Sequence, residues 1–315
     1  MGELRSGPVR VLVPASSANV GPGFDSIGLA LAVYDELIAM ATDDDGVLVE
    51  VAGEGADDVP RDERHLVVQA MQRAFEAMGV QPAGFVLRCR NAIPHGRGLG
   101  SSAAAIIGGM VLARAMVDES SLSEPAMTDA ELLALATTME SHPDNLAAAL
   151  HGGFTVAWLD DAGAPGCVRL EPHRDLRVIV AVPAASLATS AARQALPESV
   201  PYSDAVHNVS RSALLVHAMT REPELLWEAM SDRLHQRARS DVYPESVALV
   251  ETLRSRGVPA AISGAGPSVV VVSSRAEDVA RIHEATASQE ATAAWMVHEL
   301  AISAVGAQER PIDLV

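Results

Sequence analysis

The sequence predicts an α+β chain of two domains, and three observations carry that prediction. A strand-like run, Gly84–Arg90, leads through Pro94–Ala105 (PHGRGLGSSAAA) into an apolar helix. Short strand-like and helix-like runs are interleaved up to about residue 170. There the acidic, loop-like Asp160–Gly166 marks a change in composition, and a second set of strands and helices follows. At 315 residues the chain is long enough for two ordinary domains, drawn here as 1–170 and 171–315.

Each element has its own reason. Val9–Pro14 alternates like a strand, and Gly21–Gly23, with Pro22 between, makes a tight turn after it. Glu36–Thr42 and Val47–Ala52 read as a strand pair around the acidic turn Asp43–Gly46. Asp62–Met78 is amphipathic, with Leu66, Ala70 and Phe75 on one stripe and Gly79 as a stop. In Gly84–Arg90, Cys89 shares a face with Phe85 and Leu87 and reads as a buried thiol. Ser101–Val117 is apolar all round, which predicts a buried helix. Thr128 with Glu131 forms a capping box for a helix to about Glu140. His142–Leu150 continues as a short helix that Gly152–Gly153 ends, and Phe154–Leu159 is a strand. Beyond residue 170, Arg177–Pro183, Ala261–Val272 and Ala293–Ile302 are the strand-like runs, with helices between.

Composition excludes whole classes. All 23 basic residues are arginine. Without lysine there is no Walker-type P-loop, no protein-kinase strand lysine and no Schiff base. Glycines 96, 98 and 100 are spaced evenly, unlike the dinucleotide fingerprint. A formal net charge of −18 argues against nucleic acid or an anionic membrane as partner. No apolar run reaches bilayer length, and the first residues lack a signal-peptide core. Gly2 lacks the downstream Ser or Thr of a myristoylation signal. Two isolated cysteines, Cys89 and Cys167, fit a reducing compartment. A cytoplasmic protein is expected.

The segment Pro94–Ala105 is the most informative in the chain. Its three glycines let backbone N–H groups curl inward, and the helix beginning near Ser101 adds a positive N-terminal end, a combination suited to phosphate oxygens. Ser101 and Ser102 are placed to cap that helix or to reach a phosphate-bridging metal. Alone, such a turn also reads as close strand–helix packing. Here it keeps company with Pro14–Leu31, Ala260–Val272 and the acidic, His-containing Glu140–Asn145.

Pro14–Leu31 (PASSANVGPGFDSIGLAL), Pro94–Ala105 and Ala261–Ser268 (AISGAGPS) together resemble the three signature motifs of the GHMP kinase superfamily. The first of them, with Ser141–Asn145 (SHPDN), resembles the homoserine kinases within it. The resemblance runs nearly end to end. It implies an N-terminal domain like ribosomal protein S5 domain 2 and a C-terminal ferredoxin-like domain, with the site between them. It also implies transfer of the γ-phosphoryl of ATP, with Mg²⁺, to the side-chain hydroxyl of L-homoserine, a step of threonine biosynthesis, by a homodimer.

Residue by residue, the resemblance assigns the triphosphate to Pro94, His95, Gly96, Arg97, Gly98, Leu99, Gly100, Ser101, Ser102, Ala103 and Ala104. Mg²⁺ falls to Ser102 and Glu140. Asn19 and Asp25 match positions at the substrate hydroxyl and are the catalytic candidates; the proton leaves through Asp25 or directly to the phosphate. His142 and Asn145 match substrate-proximal positions, with Asp144 to orient one of them. Arg193 and Arg239 match the arginines on the substrate carboxylate, with Thr189 and Gly264 nearby. Each has a plain alternative: an Asx turn for Asn19, an N-cap for Asp25, a helix-end carboxylate for Glu140, a structural histidine for His142, surface charges for the arginines, a solvated Arg97. One departure stands out. The chain reads His235-Gln236-Arg237-Ala238-Arg239, where the family usually has Pro-Tyr before the last arginine. Two other readings stay open: another small-alcohol kinase of the superfamily, and a non-catalytic ligand sensor.

Overall fold

The computed structural model describes residues 3–118, 120, 126–289 and 294–312. Met1, Gly2 and Ala293, which entered the sequence reading, lie outside them. Among the described residues, the first sheet holds seven strands: β1 (Val9–Asn19), β2 (Gly23–Thr42), β3 (Gly46–Gly53), β4 (Gly84–Asn91), β5 (Phe154–Leu159), β6 (Pro165–Leu170) and β11 (Gln308–Arg310). The second holds β7 (Arg177–Pro183), β8 (Ala260–Ile262), β9 (Val269–Ser273) and β10 (Trp295–Leu300). The helices are α1 (Leu66–Ala77), α2 (Ser101–Met116), α3 (Asp129–Thr137), α4 (Pro143–His151), α5 (Thr189–Gln194), α6 (Tyr202–Thr220), α7 (Leu226–Ala229), α8 (Pro244–Ser255) and α9 (Glu277–Ala287).

The spine of the first sheet runs β11-β1-β2-β4-β3, and β5 pairs with the first half of β2. Two strand readings need correction. The chain does turn at Asp43–Gly46, but the strands on either side do not pair. β4 inserts between them, antiparallel to β2 and parallel to β3, with Gly84 opposite Gly46. Gly84 is what admits it, since a Cβ there would strike the carbonyls of Asp44 and Gly46. The first strand also runs on through Pro14 to Asn19, because a register shift between Pro14 and Ala15 absorbs the proline without ending the ladder.

Helices α1 to α4 pack on this sheet. Helix α2 buries eleven of its sixteen residues, in keeping with its all-round apolar sequence. Its N-cap is Gly100 in the left-handed region, and no side chain caps it. Ser101 and Ser102 therefore begin the helix rather than cap it. Thr128 and Glu131 form the reciprocal capping box of α3, and Cys89 is buried.

The second sheet has the order β10-β7-β9-β8, every neighbour antiparallel. Helices α5 to α8 separate β7 from β8, and α9 separates β9 from β10. This is the βαββαβ pattern of a ferredoxin-like sheet. Alternation explains why β7 and β9 are continuous apolar runs. Ile179, Ala181, Val269 and Val271 pack under α8 and α9. Val178, Val180, Val182, Val270 and Val272 join the large core of the first sheet, together with Leu215 and Met219 of α6. Both faces are covered, so no polar alternation is needed. Among the described residues, no helix is long and apolar enough to cross a membrane.

Candidate active site

The glycine turn joins β4 to α2. Gly96, Gly98 and Gly100 have φ of 63°, 71° and 71°, while Arg97 and Leu99 between them do not share the left-handed conformation. Alternating hands of this kind turn successive N–H groups to one side. The turn is held from behind. Ser263 Oγ donates to the Gly98 carbonyl at 2.6 Å, Ser16 N to the Leu99 carbonyl at 3.1 Å and Leu187 N to the Gly96 carbonyl at 2.8 Å. A Cβ at Gly98 would strike the Ser263 carbonyl, and one at Gly100 the Ser16 hydroxyl.

In front of the turn lies a cleft of about 220 Å³. Of the residues expected there, it is lined by Gly96, Gly98, Gly100, Ser101 and Ser102 on the turn side, and by Asn19, Asp25, Glu140, His142 and Asn145 beyond. Thr189, Arg193, Arg239 and Gly264 complete it from the second half of the chain. Pro94, Arg97, Leu99 and Ala103 do not line it. Leu99 and Ala103 are buried in the core. Arg97 is not simply solvated: its guanidinium donates to the carbonyls of Pro183, Ala184 and His95 at 3.1, 2.9 and 3.0 Å. His95 and Ala104 face a second space of about 260 Å³, walled largely by apolar atoms of Leu37, Val59, Pro60 and Val67. Ser101 and Ser102 border both spaces.

Backbone strain concentrates where β1 turns into β2. Asn19, Val20 and Asp25 all have positive φ, at 68°, 46° and 55°, a conformation unfavourable for L-residues and most of all for a β-branched one. Side-chain amide bonds hold it. Asn19 Oδ1 accepts from Asp25 N at 3.0 Å, and Asn19 Nδ2 donates to the Gly264 carbonyl at 2.8 Å. Asp25 is thus a strand residue rather than an N-cap. Its carboxylate takes both arms of Arg193, at 2.8 and 3.2 Å, with His142 Nε2 3.9 Å away. Among the described residues, Arg193 Nε is buried with no partner.

The acidic wall is buried. Glu140 is raised above the usual carboxylate range by burial, opposed by a hydrogen bond with Ser102, and its Oε2 has no partner among the described residues. Burial carries Asp144 from 3.8 to about 7, against its bond from Asn145 N; the charges of Asp25 and Glu140 push the same way. Burial lowers His142. Asn145 Oδ1 accepts from Ser16 Oγ at 2.8 Å.

Two site residues escaped the sequence reading. Phe24 lies under both arginines, 5.5 Å from the Arg193 guanidinium carbon and 5.4 Å from that of Arg239. In a chain with 3% aromatics, a phenylalanine inside a Gly/Pro turn was the available signal. His235 stacks on Phe24 at 5.0 Å and meets Arg239; in the sequence it shows only as the first residue of the stretch that departs from the family pattern.

Comparison with known proteins bears on this geometry. Residues 65–153 match the model of the GHMP kinases N terminal domain, and residues 214–290 that of the GHMP kinases C terminal. A curated homoserine kinase of Streptomyces coelicolor is 48% identical over 308 residues, which span 98% of this chain and 96% of that one. The chain belongs to the homoserine kinase family of the GHMP kinases. The homoserine kinase of Mycobacterium tuberculosis is 49% identical over 84% of each chain. The crystal structure of homoserine kinase from Cytophaga hutchinsonii superposes with a TM-score of 0.83 at 26% identity, covering 98% of this chain and 99% of that one. L. major mevalonate kinase, at 15% identity and a TM-score of 0.69, shares the fold.

Proposed function

We propose that this chain transfers the γ-phosphoryl of ATP to the side-chain hydroxyl of L-homoserine, giving O-phospho-L-homoserine for threonine biosynthesis. The observation that carries the reading is the convergence, in one cleft, of an anion-binding turn and an Asp25–Arg193–Arg239 cluster, in a chain this similar to curated homoserine kinases. Phosphoryl transfer asks for positioning and charge neutralisation more than covalent chemistry. The N–H groups of Gly96–Ser102 and the N-terminus of α2 receive the triphosphate. The adjoining apolar space beside Ser101 suits the base of the nucleotide.

Ser102 and the unpartnered Glu140 oxygen are the oxygen donors a hard cation wants. Among the described residues no cluster of three or more His, Cys, Asp or Glu side chains stands ready for a metal. A Mg²⁺ ion held by these two groups would draw its remaining ligands from phosphate oxygens and water, and when bound it supplies neutralisation of phosphate charge. Arg193, through its free Nε, and Arg239 take the amino-acid carboxylate. Asp25 and Asn19 orient the acceptor hydroxyl, and its proton leaves through Asp25 or directly to the phosphate. A homodimer in the cytoplasm is the expected setting.

The test is coupled ADP release with Mg-ATP against L-homoserine, D-homoserine, L-serine, mevalonate, shikimate and galactose. Turnover with L-homoserine alone is expected. Turnover with another alcohol instead overturns the substrate, and silence across the panel with ATP still bound overturns the enzyme.

A further inference from the structure

The segment after α7 carries a buried histidine that the reaction above does not use. His235 is 1% exposed. Its Nδ1 lies 3.3 Å from Arg239 Nη1, and its Nε2 lies 2.8 Å from the Gly21 carbonyl. A guanidinium only donates and a carbonyl only accepts. The two contacts are satisfied together by one state of the ring: neutral, with the proton on Nε2 and the lone pair of Nδ1 turned to Arg239.

The neighbours support that state. Asp232 Oδ1 is 3.7 Å from Nε2, but this carboxylate is already committed. It accepts from Asn208 Nδ2, Leu234 N, His235 N and Gln236 N, at 2.8 to 3.1 Å. Asp232 thereby builds the turn that presents His235 and has no free direction for an imidazolium. The other charged groups facing the ring are Arg239 and Asp25, and burial keeps the histidine below its ordinary pKa. On its other face the ring stacks on Phe24, which in turn lies under Arg193 and Arg239.

We infer that His235 is a positioning residue for the substrate carboxylate: as a neutral acceptor at Nδ1 it fixes the guanidinium of Arg239, and through Phe24 it sets the floor beneath both arginines. The inference rests on the proposed role of Arg239 in holding the amino acid. Arg239 Nε is tied to the Ala192 carbonyl at 2.9 Å. The bond to His235 fixes a second nitrogen of the fork, which also lies over the Phe24 ring and near Tyr243.

Kinetic and spectroscopic measurements test this. In His235→Ala, the KM for L-homoserine should rise roughly 10- to 100-fold, the effect of losing a hydrogen bond to a charged group, with kcat and the KM for ATP little changed. His235→Asn, whose amide oxygen reaches the Nδ1 position, should restore most of the loss, and in an Arg239→Ala background His235→Ala should add nothing further. An unchanged KM, an Asn variant as poor as Ala, or additive effects would overturn the inference. The spectroscopic readout needs no substrate: two-bond ¹H–¹⁵N spectra of the wild-type protein should show His235 as the neutral Nε2–H tautomer, and Arg239→Ala should shift its Nδ1 resonance. A charged ring or the opposite tautomer overturns the assignment even if the alanine variant fails to fold. The expected tautomer without homoserine turnover would instead count against the proposed substrate.

Discussion

Arg193 has two claims on it. Its two terminal nitrogens hold Asp25, yet its Nε is buried and unpaired, so an incoming carboxylate has a donor waiting. Replacing it removes both contacts. Arg193→Ala should raise the KM for L-homoserine while leaving the KM for ATP near its original value, as steady-state kinetics would report. Asp25→Asn keeps the backbone bond to Asn19 but loses the carboxylate. If Asp25 takes the hydroxyl proton, kcat falls roughly 10²- to 10⁴-fold, the usual range for a lost general base. Full kcat across pH would leave the proton to the phosphate.

The buried carboxylates make a separate prediction. Asp144 rises from 3.8 to about 7, and Glu140 moves in the same direction. The folded state then binds more protons than the unfolded one between those values. The stability they contribute is full below about pH 4 and is lost as pH rises through 7. For Asp144 the difference is on the order of 4 kcal/mol. Thermal melts of the nucleotide-free protein should fall from pH 5 to pH 8, and Asp144→Asn should flatten that fall. Stabilisation by MgCl₂ with ADP should grow over the same interval, since a cation competes with those protons.

Among the elements, the glycine turn was the most legible in sequence, because strand, alternating glycines and apolar helix are all local signals. Its exact caps were not. Ser101 and Ser102 have capping chemistry, but Gly100 already occupies the left-handed N-cap. The β2–β3 pairing was misread because a turn signal says where a chain reverses, not which strand fills the gap; β4, about forty residues on, does so. His235 lay beyond sequence reading for the same reason: its partners Gly21 and Phe24 are more than two hundred residues away. Asn19, Asp25, Arg193 and Arg239 became visible only through the motif resemblance. The turn also offers a direct test. Gly98→Ala should lose nucleotide binding by calorimetry and cost roughly 1–3 kcal/mol of stability from the unfavourable φ alone, before its clash with the Ser263 carbonyl.

At the scale of the whole molecule, the two sheets are not independent. The even-numbered valines of β7 and β9 pack into the core of the first sheet, Gly264 N donates to the Ala18 carbonyl, and Arg97 binds carbonyls at the end of β7. Unfolding by denaturant should therefore be one cooperative transition, with fluorescence of Trp158 in β5 and of Trp295 in β10 changing together.

The last strand has a further meaning. β11 pairs with β1, Ala307 N donates to the Ala149 carbonyl, and Arg10 reaches the Pro311 carbonyl. About three hundred residues separate β1 from β11. While the chain is being made on the ribosome, β1 emerges well ahead of β11 and keeps an open edge until β11 clears the exit tunnel. The first sheet cannot close before β11 has been made, and an edge left open that long is a place where a chaperone, or another nascent chain, can bind.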